Sequence, residues 1–449
     1  MAQVYSQEVY VQYLKRYGFV FQSSELYNGL ANSWDFGPLG AVLKQQIKTA
    51  LYNFFIKNKR DVLLIDTPII LNEQIWKASG HLANFTDALV DCKSCKLRFR
   101  VDHLDEQIKS ATQWNPKQVN CPNCKANNWS EVRDFNLLFQ TEIGVVNSEK
   151  RLVYLRPETA QGIFINFKQL LQLKKRPLPF GVAQFGKSFR NEVTPGNFLF
   201  RVREFEQFEM EWFCNPQASL SVFESQQQAI AHFLFKVLQL NPALVKQYEY
   251  DKNELAHYAN KTVDFLFQFP HGLRELWGLA DRGTFDLEQH QKYAKKPLDF
   301  FDGENNEHFI PAVVEPSVGI ERLFYALIVS SYQQEQLEGE MREVLRLPFH
   351  LCPEQIVVLP LVNKLKETAQ TLFEALSQTH WRIGFESAGS IGKRYRKADA
   401  IGTKFAITFD FESLEDQAVT IRERDSLKQV RVPIKELKAW FAQHDDQSH

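Results

Sequence analysis

The stretch FRVREFEQFEMEW, residues 200–212, most limits what this 449-residue chain can fold into. Read as a strand, it alternates two kinds of side chain. Arg201, Arg203, Phe205, Gln207, Glu209 and Glu211 fall on one face. Two arginines, an aromatic ring and two carboxylates make a poor hydrophobic core. Such a face is either solvated, with cross-strand ion pairs, or it is a site. As a site it has a clear chemistry. Guanidinium forks clamp phosphates, an aromatic ring offers a base a stacking surface, and carboxylates bind an ammonium. Set among strand-like runs that short loops join, such a strand favours an antiparallel sheet with helices packed on it.

The remaining segments agree with that class. Strand-like runs recur at 151–155, 180–189, 199–213, 262–268 and 274–280, without a regular strand–helix–strand rhythm. Helical spacing is expected over 4–17, 41–59, 217–240 and 319–332. Residues 61–71 read as a strand interrupted at Pro68, which has no N–H for a central ladder. Two prolines mark a linker at 346–354. After it, 355–449 alternates strands and helices over the length of an independent α/β domain. The expected organisation is an α+β catalytic domain over 1–345, the linker, and that C-terminal domain.

Composition narrows the function classes. Lys plus Arg total 53 against 54 Asp plus Glu, a net charge of -1, so a globally basic nucleic-acid binder is excluded and only a local basic surface remains open. No run reaches the ~18 apolar residues of a membrane span. The N-terminus has no signal-peptide pattern, and six cysteines are too few for a disulfide scaffold, so a cytoplasmic protein is expected. Four of those cysteines form two pairs, Cys92-Lys-Ser-Cys95 and Cys121-Pro-Asn-Cys124, inside a polar insertion at 88–133. Two CxxC turns can close a tetrahedral zinc site with no open position, a structural site. The other readings are four reduced buried thiols or a redox pair. Redox is the weaker, because neither pair opens a helix after a strand. Cys214 and Cys352 stand alone and read as small buried hydrophobes.

Other segments place charge in apolar surroundings: RPETAQGIF at 156–164, FRNE at 189–192, ELWGLADRGTFD at 275–286 and EPSVGIER at 315–322. In the last, Ser-x-Gly opens an apolar helix with Arg322 in its first turn, an arrangement suited to an anion. FRNE, its loop 193–199 and Arg201 to Phe205 resemble motif 2 of the class II aminoacyl-tRNA synthetases. Gly319 to Arg322 resembles motif 3, and the unit ending at Pro68 resembles motif 1, the dimer-interface element. Together with REFEQFEME and ELWGLADRGTFDLEQH, these signatures are similar to the homodimeric glycyl-tRNA synthetase family. GSIGKRYRKADAIGTKFAITFDF is similar to the anticodon-binding domain shared by the glycyl, histidyl, prolyl and threonyl enzymes.

The resemblance implies a glycine–tRNA ligase using ATP with Mg²⁺, with tRNA as partner. The alternatives are a prolyl or threonyl enzyme of similar build, or a non-catalytic synthetase-like protein. The implied ATP site comprises Arg190, Asn191, Glu192, Phe200, Arg201, Val202, Arg203, Glu204, Phe205, Glu275, Leu276, Gly319, Ile320, Glu321 and Arg322. In it Arg190 holds the α-phosphate and the glycine carboxylate, and Glu192 accepts from the adenine amino group. Arg201 and Arg322 grip the γ-phosphate, Phe205 stacks on adenine, and Glu275 shares Mg²⁺ with the phosphates. Arg190, Arg322 and Glu275 are the implied catalytic groups. The implied glycine site comprises Arg100, Glu158, Phe205, Glu206, Gln207, Phe208, Glu209, Glu315, Pro316, Ser317, Val318 and Gly319. Lys393, Arg394, Tyr395, Arg396 and Lys397, with Lys404, put basic residues beside an aromatic and are expected at the anticodon, by stacking and charge.

Overall fold

The computed structural model describes residues 3–104, 114–116, 119–146, 150–174, 177–193, 196–255, 259–337 and 339–445. Parts of two expected features therefore lie outside the described residues: 105–113 and 117–118 of the Cys-rich insertion, and 194–195 of the motif 2 loop.

Two N-terminal helices, α1 (Gln7–Arg16) and α2 (Pro38–Phe55), back a seven-stranded sheet. Proline at its first turn starts α2. Gly40 is required there, because a Cβ would lie 1.9 Å from the Phe19 carbonyl oxygen. The strands are β1 (Val62–Leu64), β2 (Phe180–Phe189), β3 (Glu204–Cys214), β4 (Val245–Glu249), β5 (Lys261–Phe269), β6 (Gly272–Gly283) and β7 (Ala312–Gly319). Across the sheet they run β4-β5-β6-β7-β3-β2-β1. All neighbours are antiparallel except β1 against β2. Helices α3 (Ser219–His232) and α5 (Ile320–Ser331) complete the layer, and α4 (Phe285–Ala294) packs on the other face, where Leu287 joins Val182, Phe213 and Val313. The expected long helix over 217–240 ends its α-helical part at His232 and continues as a wide turn over Phe233–Val237.

The sheet's two faces divide as the alternation of β3 demands. Phe208 and Met210 join Trp277, Val318, Phe265 and α5 in one continuous core. Gln207, Glu209 and Glu211 point the other way, at positions paired with Gly186, Gln184 and Val182 of β2. On β7, Ser317 is paired with Glu209 and Gly319 with Gln207. On β6, Gly278 is paired with Ser317 and Ala280 with Glu315. The strand begins only at Glu204, so Arg201 and Arg203 are not members of the β3 ladder. A 3-10 turn over Phe198–Phe200 and an isolated bridge between Gly196 and Arg201 precede it.

A hairpin, β8 (Tyr332–Leu337) and β9 (Glu340–Leu345), leads from α5 to the C-terminal domain. That domain is a five-stranded sheet in the order β11-β10-β12-β13-β14. Its strands are β10 (Ile356–Pro360), β11 (Ile383–Phe385), β12 (Phe405–Phe409), β13 (Ala418–Glu423) and β14 (Gln429–Pro433). Helices α6 (Lys366–Ser377), α7 (Ile391–Ile401) and α8 (Leu437–Ala442) accompany it. It has its own core, but the expected linker is no free tether. Leu347, Leu351 and Cys352 belong to the catalytic core, and Phe349 belongs to the C-terminal core. Arg424 donates to the Leu347 carbonyl and Arg382 to those of His350 and Cys352.

Candidate active site

The open face of the sheet forms the floor of a cleft of about 420 Å³. One end is built from arginines. Arg190 leaves the end of β2, anchored by its Nε to the Pro157 carbonyl at 3.1 Å. Its guanidinium lies between the rings of Phe85 and Phe205, 5.4 and 5.3 Å from their centroids. Arg322, in the first turn of α5, lies 4.4 Å over Phe200 and pairs with Glu275 at 3.2 Å. Arg201 stands near Arg322. Burial, with Arg100 and Arg322 close by, holds it below the usual arginine range against the pull of Glu192. Cations crowded in this way attract a polyanion.

Phe205 is the ring left to stack a base. Phe198 is buried in the core against Trp34 and Tyr325, and Phe200 is packed on Phe269, His271 and Arg322. Glu192 Oε2 is buried and accepts no hydrogen bond from any described residue. Its nearest cations, Arg100 and Arg201, are 3.9 and 4.0 Å away. A buried acceptor without a donor is costly, and one facing a cleft awaits a ligand's N–H.

The other end is acidic. Glu209 is saturated: Oε2 accepts from the Thr159 amide at 2.8 Å and from the Thr159 hydroxyl, and Oε1 accepts from Gln207 at 3.0 Å and Ser317 at 2.9 Å. Glu158 accepts from Gln161 at 3.0 Å and lies 3.3 Å from His81. Burial opposes its charge, but His81, Arg282 and Gln161 hold it well below the usual carboxylate range. Glu315 takes a 3.0 Å bond from Arg282, which also forks onto Asp286 at 2.7 and 2.9 Å. Burial pushes Glu315 up to about 8. Carboxylates and hydroxyls converging on one closed corner suit an ammonium.

Several expected residues lie elsewhere. Arg203 turns away, donating to the carbonyls of Glu192 and Ala31. Glu204 pairs with Lys187 on the exposed rim. Glu206 pairs with Lys44 and Lys48 on the opposite face, where β-alternation sends it. The side chains of Phe208, Leu276 and Ile320 are core. Pro316 is buried opposite Leu279, and Asn191 is tied by its amide to Leu137. Arg100 belongs with the arginine end, held by Asp87 at 2.9 Å, rather than with the acidic corner. Val202, Glu321, Val318 and Gly319 do line the cleft. Residues unassigned from sequence join them. Asp264 accepts from Tyr250 at 2.7 Å, and burial, with Glu275 nearby, raises it to about 6. Its signal was a single carboxylate in the apolar strand TVDFLFQF. Arg282 and Thr262 also line the cleft, and Thr159 and His81 stand behind Glu209 and Glu158.

The cysteine module is continuous with this site. Arg100 ends the strand Arg98–Arg100, which pairs with Thr86–Asp91, and Cys92 follows directly. The four Sγ atoms of Cys92, Cys95, Cys121 and Cys124 lie within 4.8 Å of one another, with pairs at 3.6 and 3.7 Å. Four sulfurs about 2.3 Å from a tetrahedral zinc are about 3.8 Å apart, so the cluster fits.

In the C-terminal domain the basic stretch is mostly committed to the fold. Arg394 is buried and donates to the carbonyls of Pro360, Leu361 and Glu386. Tyr395 is half-buried, with its hydroxyl engaged by Thr408 and its ring by Arg422. Arg396 pairs with Glu340, Lys397 with Glu386, and Lys404 with Glu423 and Asp425. Lys393 is exposed.

A family model described as "tRNA synthetase class II core domain (G, H, P, S and T)" matches residues 139–332, and one described as "Anticodon binding domain" matches residues 355–444. The chain is 72% identical over 441 residues to the glycine–tRNA ligase of Mycoplasma genitalium, covering 98% of this chain and 99% of that protein. It is 52% identical over 450 residues to that of Malacoplasma penetrans, covering 97% of each. A prolyl-tRNA synthetase from Cryptosporidium parvum, solved with L-proline and AMP, shares the fold. Its TM-score is 0.64 at 13% identity, over 97% of this chain and 74% of that one. With a near-full-length relative at this identity, the chain belongs to the glycine–tRNA ligase family of class II aminoacyl-tRNA synthetases.

Proposed function

We propose that this protein activates glycine with ATP and transfers it to the 3′-terminal ribose of a glycine tRNA. The observation that carries the reading is the polarity of the cleft: an arginine end for a triphosphate joined to an acidic corner for an ammonium. ATP lies with its base on Phe205, its amino group donating to Glu192 and its terminal phosphates between Arg201 and Arg322. Arg190, fixed by Pro157 and two rings, bridges the α-phosphate and the glycine carboxylate. The carboxylate oxygen attacks the α-phosphorus and pyrophosphate leaves. The tRNA hydroxyl then attacks the glycyl adenylate. Positioning and charge neutralisation carry both steps, so no separate base is needed.

Glycine's ammonium binds among Glu158, Glu209, Glu315 and Ser317. That lining satisfies an ammonium and offers a side-chain methyl nothing. Selection against alanine then rests on exclusion. A good fit alone separates one methylene by only ~1–3 kcal/mol. Glu275 would hold Mg²⁺, which would supply charge neutralisation to the leaving phosphates. Glu275 and its neighbour Asp264 supply the hard oxygens that this ion prefers. Among the described residues no helix is long and apolar enough to cross a membrane. A homodimer fits the resemblance of the unit ending at Pro68 to motif 1.

The cysteine cluster holds one structural zinc per chain in this reading. Metal analysis of protein purified without added zinc should find close to one equivalent. A Cys95→Ser, Cys121→Ser double variant should lose it and, because Arg100 is carried on the same small sheet, lose activity as well. Full activity in a zinc-free double variant would separate the module from the site. The overall reading is tested by glycine-dependent aminoacylation of glycine tRNA. Adenylate formation without transfer would leave only its first half.

A further inference from the structure

Glu211 is the one member of the acidic face for which the reaction above has no use. It is fully buried, and neither carboxyl oxygen accepts a hydrogen bond from any described residue. The pairs Glu209–Ser317 and Trp212–Val314 bracket it on β3 and β7, so the register sets Glu211 opposite Glu315 on the same face. Like charges directly opposed across a ladder destabilise it, and a dry interior makes the cost larger.

The surroundings sharpen this. From its own strand Glu211 meets Glu209, from β7 Glu315, from β6 Arg282 and from α4 Asp286. Glu158 adds a fifth carboxyl, and it acts on both Glu209 and Glu315. His290 on α4 is buried neutral, its ring bonded to Gln161 at 2.8 Å. On the β2 side the position opposite Glu211 is Val182, which brings no donor. Among the described residues Arg282 is the one guanidinium these carboxyls share, with His81 beside Glu158 at the rim. They cannot all be ionised in the empty pocket. Glu209 has four donors, Asp286 a fork, Glu315 one bond and Glu158 two neighbours; Glu211 has none. Burial and Glu315 push the Glu211 carboxyl well above the ordinary range, in the same direction.

We infer that Glu211 and Glu315 form a cross-strand pair that keeps at least one proton while the pocket is empty, and that the substrate's ammonium enters in exchange for a proton of that pair. The inference rests on the glycine-binding reading of the corner. The exchange is balanced: one positive charge arrives, one proton leaves to the buffer, and no covalent bond to carbon or phosphorus changes. Glu211 is thus a positioning residue, storing the charge that the ammonium takes over. Because free protein holds more protons than the complex, glycine affinity rises with pH while the pair titrates.

Calorimetric titration of the full-length protein with glycine, without ATP, in two buffers of different ionisation enthalpy, counts the protons. About one proton should be released per glycine near pH 7. The KM for glycine in pyrophosphate exchange should fall by up to about tenfold per pH unit below the pair's titration. Glu211→Gln, the shape of the protonated acid, should fold, lose the proton release and flatten the KM profile. A purely structural Glu211 would move neither. Infrared difference spectra of the wild type give a second reading, a protonated-carboxyl band that glycine removes. Glycine binding without proton release overturns this inference alone, as does undiminished release in Glu211→Gln. No glycine binding under any condition overturns the glycine reading of the corner as well.

Discussion

Arg190→Ala lowers glycine-dependent ATP–pyrophosphate exchange by about 10²–10³-fold in kcat, the scale for removing one preorganised group at developing charge. The KM for ATP should change far less, because on the proposed reading Arg190 acts where charge builds at the α-phosphate, whereas Arg201, Arg322 and Phe205 bind the rest of the nucleotide. The fold should survive. Among the described residues the guanidinium makes one backbone bond and two ring contacts at the cleft wall, and no buried acid pairs with it. Steady-state kinetics with circular dichroism as a control checks this. A loss of only a few-fold would move the phosphate clamp to another arginine. Arg203 is not available for that role, since it is tied to the carbonyls of Glu192 and Ala31.

Asp399→Ala should be the most damaging substitution outside the cleft. Asp399, on α7, is buried and accepts from Arg342 at 2.8 Å and from both terminal nitrogens of Arg422 at 2.8 and 2.9 Å. Arg342 is buried on β9 and also bonds Glu335 and the Arg424 carbonyl. Removing the shared carboxylate strands two guanidiniums, and breaking a buried pair of this kind costs about 3–5 kcal/mol. The midpoint of urea unfolding should fall accordingly. A loss below about 1 kcal/mol would mean that neighbouring acids, Glu335 among them, take over. The same contact bears on truncation. A chain cut after Leu351 would leave Arg342 without Asp399 and Leu347 without Arg424, so it should be far less stable than two separately cored halves on a tether.

The legible parts of this molecule are those where one local pattern decides. Alternation in β3 put Gln207, Glu209 and Glu211 on one face because a strand has period two and no exceptions inside a regular ladder. The paired CxxC turns brought four sulfurs together because each turn fixes two of them. Illegible parts depended on tertiary context. Arg203 was assigned to the site by extending the strand one turn too far; the 3-10 turn before Glu204 breaks the alternation. The basic face of α7 looked like an RNA surface. Helical periodicity does not reveal that Arg394 points inward to three carbonyls, or that Arg396 and Lys397 meet acids from other elements. Asp264 was passed over because one acid in an apolar strand gains meaning only when β6 brings Glu275 beside it.

On the proposed reading, one end of the arginine-lined cleft admits an ammonium and a carboxylate with no side chain between them. ATP–pyrophosphate exchange measured with each of the twenty amino acids in turn tests it most directly. Glycine alone should support exchange, with alanine and serine at background. Exchange driven by proline, threonine or serine, with glycine inactive, would contradict the assignment.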